Sequence, residues 1–426
     1  MEPPGADADA SLRADAPAAV AAVLPTLDAT MRAALGRTWG VGGDRLRATL
    51  DGAMRAEVGA AAAAAGPTDL FRLSSRAALR AGAAAFLGPA FDAAHGAEVW
   101  AGIHAWQPAA FSLPWFLAPR AARRVRPAIG RAFDVAYRPM EAHIGRVLAG
   151  EVPAEGGTYL AALLAGVDAA TPRPPVTAAQ VATHIFGVLV ALHINVYATG
   201  AWAVAHVAGD AGLSAAAAAE VDDRLAGRPP PMGGGGGGGG SPPPATGLPV
   251  LEGVWAEALR VYFVTPSLRL AKAPWHVAAS DGNGAAGARN GDRRTRPGWT
   301  VPGDGRLVAI SIVDVNRRGG GGRSGGGAPA VWARRFVPPA GTPWRAAEQA
   351  RTLYAFAWGP HVCVGRRVAE ALLERWWVAL YGAYAVTRVS DAQGGGGGGG
   401  GCPRCPRQTL CTRLGRRRQC GRCGCA

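Results

Sequence analysis

The residues best suited to chemistry lie in one stretch near the C-terminal end of the chain. From Phe356 to Gly365 it reads Phe-Ala-Trp-Gly-Pro-His-Val-Cys-Val-Gly, and Cys363 is the first of seven cysteines. A thiolate is a strong, soft ligand for iron, and neighbouring glycines let backbone N–H groups approach the sulfur. An apolar helical run follows at residues 368–380, and the helix dipole favours an anionic thiolate at its start. These features predict a cysteine-ligated iron, with an inert buried cysteine at a helix start as the alternative.

The spacing Phe-x-x-Gly-x-His-x-Cys-x-Gly resembles the haem-binding loop of the cytochrome P-450 superfamily, the haem-thiolate monooxygenases. The resemblance implies that Cys363 is the axial ligand of the iron of haem b, the ligand type that favours O–O cleavage. It also implies that Phe356, Gly359 and Gly365 belong to the cofactor-binding loop. His361 would bind a haem propionate, because a charged donor makes a strong hydrogen bond to a carboxylate.

A second motif, Glu257-Ala-Leu-Arg260, lies about a hundred residues before the cysteine, in a predicted amphipathic helix over residues 251–263. Residues three apart share a helical face, so the two side chains can pair. One interpretation is a surface ion pair of little energetic weight. The resemblance implies instead a buried triad with Arg335, which supports the cysteine loop, and it makes Arg269 a further propionate ligand.

The most regular helix is predicted over residues 177–208, where Thr177 and Gln180 form a capping box. The resemblance implies that this long helix crosses the distal face of the haem, opposite the cysteine loop. In the family this helix normally carries an acid–alcohol pair that delivers protons to bound oxygen. Such a pair is missing from this sequence, which leaves ordinary oxygen activation open.

Two alignments of this helix name different distal residues. Aligning on Trp202 puts Asn195 at the position of the alcohol, whereas aligning on the hydroxyl puts Thr199 there, after Ala198. An asparagine followed seven residues later by tryptophan resembles the branch with prostacyclin synthase, the sterol hydroxylases and sterol 14α-demethylase. Asn195 and Thr199 are therefore the catalytic candidates, and His193 would help to shape the pocket. The alternative for all three is a satisfied polar group in a packed helix.

Other helices follow from hydrophobic spacing and from break signals. Leu46 and Leu50 lie one turn apart in a helical N-terminal region, where Arg45 or Arg47 is a candidate for a propionate or a solvated face. A break at residues 66–69 precedes a helix that ends at Gly88-Pro89, with Thr68 or Asp69 as its cap. A loop is predicted from residue 113, and a long helix is predicted to end near residue 148.

The charge of the chain does not indicate a nucleic-acid-binding body. Its net charge is +15, but residues 402–426 alone contain seven arginines and no acidic residue. We therefore expect no nucleic-acid partner for the body. Residues 1–20 lack a signal-like pattern, and the apolar run at 186–208 is interrupted by polar residues, so a buried core helix is favoured over a membrane span.

Composition divides the chain into two parts. Residues 1–393 are predicted to form the haem domain, with glycine-rich inserts at 233–240 and 319–327. Residues 394–426 read as a low-complexity glycine run and a disordered tail rich in cysteine and arginine. The pairs Cys402/Cys405 and Cys420/Cys423 have the spacing of a zinc ribbon, and a zinc site is the alternative for this tail.

A strand is predicted to begin at residue 383, without the terminal hairpin of the family. The family's N-terminal portion is also missing, so the resemblance implies an incomplete chain.

The expected fold is mainly α with small β-sheets, an α+β cytochrome P-450 fold with haem between a long distal helix and the cysteine loop. The resemblance implies a monooxygenase that acts on an apolar, sterol- or lipid-like substrate. It would receive electrons from an NADPH-dependent reductase or a ferredoxin, at the endoplasmic reticulum membrane. The alternatives are an isomerase or dehydratase of a lipid peroxide, a non-catalytic remnant of the fold, and a metal- or nucleic-acid-binding protein that acts through its tail.

Overall fold

The computed structural model describes the chain in segments. These are residue 33 and residues 43–64, 66–110, 126–168, 176–228, 246–262, 267–270, 273–277, 299–302, 307–310, 336–337, 354–356, 363–389 and 411–416. This part of the chain is mostly helical with a few short strands, as the sequence predicts. It divides into two units, Met1–Ala201 with Val364–Ala426, and Trp202–Cys363.

The first unit begins with three helices and a short strand. Helix α1 spans Gly43–Ala63, strand β1 Thr68–Asp69, helix α2 Leu70–Leu87 and helix α3 Pro89–Ala110. Asp69 caps α2 by accepting a hydrogen bond from the N–H of Arg72 (3.1 Å), which confirms one of the two predicted caps. In α1 the predicted apolar face is confirmed too, since Leu46 and Leu50 are both buried.

Helix α3 was not predicted. The predicted helix end at Gly88-Pro89 is confirmed, since α2 ends at Leu87, but a second helix begins at once with Pro89. Gly88 adopts a left-handed backbone with φ 116°, which ends α2, and Pro89 stands at the first position of α3. Proline is favoured there because the first N–H of a helix needs no intrahelical partner. Asp92 in the first turn of α3 then forms a bidentate ion pair with Arg80 of α2 (2.6 and 3.0 Å).

Two further helices precede the long one. Helix α4 spans Pro127–Leu148 and helix α5 spans Tyr159–Asp168. The C-terminal boundary of α4 agrees with the prediction, whereas the loop expected at residue 113 lies outside the described residues. Helices α3 and α4 cross closely at Gly102, where a Cβ would come within 2.7 Å of the backbone oxygen of Ala132.

Helix α6 spans Ala178–Ala208 and confirms the longest predicted helix. Its capping box is present: the N–H of Thr177 donates to Gln180 Oε1 (2.9 Å), and the N–H of Gln180 donates to Thr177 Oγ1 (3.3 Å). Phe186 joins it to an aromatic cluster with Trp106 and Phe133. Within the described residues α6 is the one helix that is long and apolar enough to cross a membrane, and half of its most apolar window is buried inside the protein.

The second unit is built on helices α7 and α8. Helix α7 spans Ala211–Leu225, helix α8 spans Pro249–Tyr262, and the carboxylate of Glu220 in α7 accepts the N–H groups of Val250 (2.7 Å) and Leu251 (2.9 Å). A carboxylate at the first turn of a helix satisfies donors that lack intrahelical partners. Burial nevertheless raises the pKa of Glu220 to about 8, against the two N–H groups that lower it.

Two small antiparallel sheets complete the second unit. Strand β2 (Ser267–Leu270) pairs with β5 (Leu307–Ile310), and β3 (Trp275–Val277) pairs with β4 (Trp299–Val301). The predicted strand at residues 307–313 is confirmed for its first four residues.

The chain returns to the first unit with helix α9 (Arg366–Ala383) and strand β6 (Tyr384–Arg388). Strand β7 (Cys411–Arg416) pairs antiparallel with β6 and with β1, giving the order β1-β7-β6. The expectation of a disordered tail without a terminal hairpin is therefore wrong for these six residues. The strand is stabilised because its backbone pairs with β1 on one side and with β6 on the other, and Leu414 lies opposite the buried Val386.

We predict opposite outcomes for alanine at two helical glycines. Gly102→Ala should lower the free energy of unfolding by about 1–3 kcal/mol, because backbone of α4 occupies the space of the new methyl group. Gly187→Ala, with nothing within 4 Å, should leave stability unchanged or raise it by up to about 1 kcal/mol. Urea unfolding of the two variants checks this. Equal effects would contradict the close crossing of α3 and α4.

We also predict a pH dependence that arises from Glu220. Its ordinary pKa is 4.5 and its folded pKa is about 8, so the folded state keeps a proton that the unfolded state releases. The contribution of Glu220 to the free energy of unfolding should therefore be largest below pH 4.5 and fall by about 1.4 kcal/mol per pH unit as the pH rises from 4.5 to about 8. Glu220→Gln should remove this decline in urea unfolding at a series of pH values. Glu98→Gln, at an exposed site, should preserve it, and equal slopes in wild type and Glu220→Gln would refute the assignment.

Candidate functional site

The side chain of Cys363 is exposed. The N–H of Cys363 donates to the carbonyl oxygen of Phe356 (2.8 Å), which ties the two ends of the loop together. After Cys363 come a two-residue turn and helix α9, whose first intrahelical bond runs from the N–H of Ala369 to the oxygen of Gly365 (2.9 Å). The expectation of a helix start just after the cysteine is confirmed. The alternative of a buried, inert cysteine is not, since the residue is exposed.

The loop is supported at its first residue by helix α8. The ring of Phe356 is half-buried and packs edge-on against Trp255, with ring centroids 5.8 Å apart. Trp255 stands two residues before Glu257, so the helix with the Glu-x-x-Arg motif contacts the cysteine loop directly. Sequence reasoning missed Trp255, although a large aromatic residue near a buried motif is a signal for packing.

Glu257 and Arg260 form a buried, bidentate ion pair. Arg260 Nε donates to Glu257 Oε2 and its second nitrogen donates to Oε1, each at 2.7 Å. The exposed fractions of the side chains are 0% for Glu257 and 2% for Arg260. The interpretation as a surface ion pair is therefore wrong, because the apolar residues of α8 and its surroundings enclose both charges.

The predicted third member of the triad, Arg335, lies outside the described residues, but its neighbour Phe336 is close to α8. A Cβ on Gly253 would come within 2.7 Å of the backbone oxygen of Phe336, so the chain passes against the helix at this glycine. Gly253 lies four residues before Glu257, on the same helical face. The backbone that follows Arg335 thus runs along the helix of the motif.

His193 is packed inside the first unit rather than presented to a ligand. Its side chain is fully buried, Nε2 lies 2.7 Å from Ser75 Oγ, and the indole N–H of Trp100 donates to the same hydroxyl (3.0 Å). Burial, helped by the charge of His104, lowers the pKa of His193 to about 3. The ring also stacks on Tyr197 at 4.6 Å. The structure favours a core histidine over a pocket-forming one, with Nε2 bonded to Ser75 and Nδ1 buried without a hydrogen-bond partner among the described residues.

The two catalytic candidates of α6 use their donors on their own helix. The hydroxyl of Thr199 donates to the oxygen of Asn195 (2.8 Å), and Asn195 Nδ2 donates to the oxygen of Ala191 (3.0 Å). Thr199 is buried and Asn195 half-buried. Such bonds are common for polar side chains inside helices and are structural in character.

Helix α6 nevertheless lies against the helix that follows the cysteine. A Cβ on Gly200 would come within 2.8 Å of the side chain of Leu373 in α9. The neighbouring turn is held by Ser74, whose hydroxyl donates to the backbone oxygen of Tyr197 (3.0 Å). At Gly200, α6, which is the predicted distal helix, therefore contacts α9, the helix that follows the cysteine loop.

The remaining candidates divide between exposed residues and residues without a described side chain. Arg45 is exposed, with its stem against Gly157, and Arg47 is also exposed, so neither is shown to face a ligand. Arg269 lies in β2, described here by its backbone pairing with Val308. Gly359, His361 and five of the six tail cysteines lie outside the described residues; those cysteines are Cys402, Cys405, Cys420, Cys423 and Cys425. Among the residues described, no group of three or more acidic, histidine or cysteine side chains could hold a metal ion.

The two units offer different groups to a haem: Cys363 of the second unit has a thiol that could bind iron, whereas Asn195 and Thr199 of the first unit have no such ligand atom. The exposed Cys363 thiol and its anchored loop suit an axial sulfur ligand of a planar cofactor. The hydroxyl of Thr199 and the amide of Asn195 donate to their own helix instead. No family model matches the chain, and no curated protein matches it.

We predict that single substitutions in the buried pair strongly destabilise the protein. Arg260→Met or Glu257→Gln should lower the free energy of unfolding by about 3–5 kcal/mol, because each removes one charge of a buried, bidentate ion pair. Asp223→Asn, which removes an exposed ion pair with Arg228, should cost at most about 1 kcal/mol. Chemical unfolding checks both. Similar small effects at the two pairs would contradict the buried assignment.

Proposed function

We propose that the chain is a haem-thiolate protein of the cytochrome P-450 type, with Cys363 as the axial ligand of haem b. The observation that carries the proposal is the exposed Cys363, held by its N–H to Phe356 in front of helix α9. The bond fixes the backbone N–H of Cys363, and helix α9 begins three residues later, which lowers the conformational cost of presenting the thiol. Packing of Trp255 on Phe356 supports the same loop from α8.

In this proposal Phe356, Gly359 and Gly365 form the loop around the cofactor, and His361 and Arg269 pair with the propionates. The buried ion pair of Glu257 and Arg260, joined by Arg335, keeps α8 in place under the loop. These three residues act by position and touch neither substrate nor cofactor. His361 and Arg269 are both basic, and their role as propionate partners follows from the resemblance alone.

The proposed reaction is monooxygenation of a small apolar substrate, sterol- or lipid-like, with electrons from an NADPH-dependent reductase or a ferredoxin. Haem ligated by a thiolate supplies oxygen activation when it is bound. Asn195 and Thr199 would line the distal side. To deliver a proton, Thr199 would have to turn its hydroxyl away from the backbone oxygen of Asn195.

A second candidate is an isomerase or dehydratase of a lipid peroxide. One observation favours it: the Thr199 hydroxyl and the Asn195 amide both donate to the backbone of α6, and Ala198 stands where the family has an acid. A peroxide substrate already contains the O–O bond, so it needs no proton relay to activate oxygen and no reductase. Turnover of a lipid hydroperoxide without a reductase would support this candidate. Turnover that requires a reductase and oxygen would support the monooxygenase.

The haem proposal is tested by reconstituting the purified chain with haem and recording the reduced, carbon monoxide-bound spectrum. We expect the strongly red-shifted Soret band of thiolate-ligated haem. Cys363→Ser should abolish that band, because an alcohol is a poor ligand for ferrous iron. Cys402→Ser, in the tail, is the matched control and should retain it. A chain that takes up no haem would be the non-catalytic remnant, and a red-shifted band in Cys363→Ser would refute the ligand assignment.

A further inference from the structure

Three aromatic rings of the second unit form a stack. Trp202 and His206 lie one turn apart on α6, and Tyr262 is the last residue of α8. The rings of Trp202 and Tyr262 are nearly parallel, with centroids 4.1 Å apart and an interplanar angle of 7°. The ring of His206 is tilted by 21° relative to the tyrosine ring, at 5.7 Å. All three side chains are partly exposed, so the stack can be reached from solvent.

Two of the three residues, Tyr262 and His206, form a proton path. His206 Nε2 lies 3.1 Å from the hydroxyl oxygen of Tyr262, within hydrogen-bond distance. With the imidazole neutral and its other nitrogen protonated, the phenol donates to Nε2. A phenol that loses an electron becomes strongly acidic, so a base already in place lowers the energy of that oxidation.

We propose that Tyr262, with His206 and Trp202, is a redox-active site that accepts one oxidising equivalent from a one-electron oxidant of high potential. One electron passes from the stacked Trp202–Tyr262 pair to the oxidant, which is reduced by one electron. The O–H bond of Tyr262 breaks and its proton moves to His206 Nε2. The products are a neutral phenoxyl radical at Tyr262 and an imidazolium at His206, so charge and atoms balance. This inference does not rest on the haem proposal.

A second tyrosine, Tyr159, provides a comparison for Tyr262 within the same chain. Tyr159 also bonds to a histidine, with its hydroxyl 2.8 Å from His184 Nε2. Its side chain is buried, and its ring packs on Phe86 at 5.2 Å, a ring that is hard to oxidise. A hydrogen bond to histidine is thus common to both tyrosines, whereas the stacked indole and the access from solvent distinguish Tyr262.

The test uses the purified full chain with a photogenerated ruthenium(III) polypyridyl complex as the oxidant. Radical formation is followed by transient absorption and by electron paramagnetic resonance of freeze-quenched samples. We expect a tyrosyl radical that is lost in Tyr262→Phe and kept in Tyr159→Phe. His206→Phe keeps a ring in the stack but removes the base, and it should slow radical formation at least about 10-fold. Wild-type formation should also be slower in D₂O.

The variants must show the circular dichroism of the wild type, and the D₂O comparison needs no variant. Trp202→Phe should lower the radical yield while the stack is retained. A tyrosyl radical that persists in Tyr262→Phe, or that is lost in Tyr159→Phe, would overturn the assignment. So would a wild-type rate in His206→Phe, or equal wild-type rates in H₂O and D₂O.

Discussion

The arrangement of the second unit depends on the burial of two opposite charges, Glu257 and Arg260. Removing an ion pair from water costs several kcal/mol per charge, and only good geometry offsets that cost. Both bonds here are 2.7 Å long and the pair is bidentate, the form that suits a guanidinium and a carboxylate. Such a pair is stable only if its surroundings keep water out and stay in place. Helix α8 meets this condition, since nearly all of its residues are buried.

Other contacts of α8 also help to hold this helix in place around the buried pair. Gly253 lets the backbone at Phe336 pass against the helix, and Trp255 packs on Phe356 at the start of the cysteine loop. Glu220 of α7 holds the first N–H groups of the helix. The position of the cysteine loop is in this way coupled to the buried charges, which accounts for a structural role of the motif rather than a chemical one.

The polar side chains of helix α6 bond inside the core or on the helix itself. His193 is used in the core with Ser75 and Trp100, and Thr199 and Asn195 are used on the helix backbone. What α6 contributes to the proposed site is position, through the close approach of Gly200 to Leu373.

Local signals in the sequence predicted the local structure well. The caps at Asp69 and Thr177, the extent of α6 and the pairing of Glu257 with Arg260 all depend on residues three or four apart. Contacts between distant segments could not be predicted in this way. Ser75 meets His193 across more than a hundred residues, and β7 pairs with β6 after a glycine run that carries no pairing signal. Helix α3 was missed because Gly88-Pro89 was interpreted as a stop, although proline also starts helices.

The central claim is that Cys363 binds the iron of a haem, and the first coordination shell of the iron tests it most directly. Iron K-edge X-ray absorption of the haem-reconstituted chain reports which atoms surround the metal. We expect one sulfur scatterer beside four porphyrin nitrogens, and its loss in Cys363→Ser. A first shell of nitrogen and oxygen alone in the wild-type chain would contradict it.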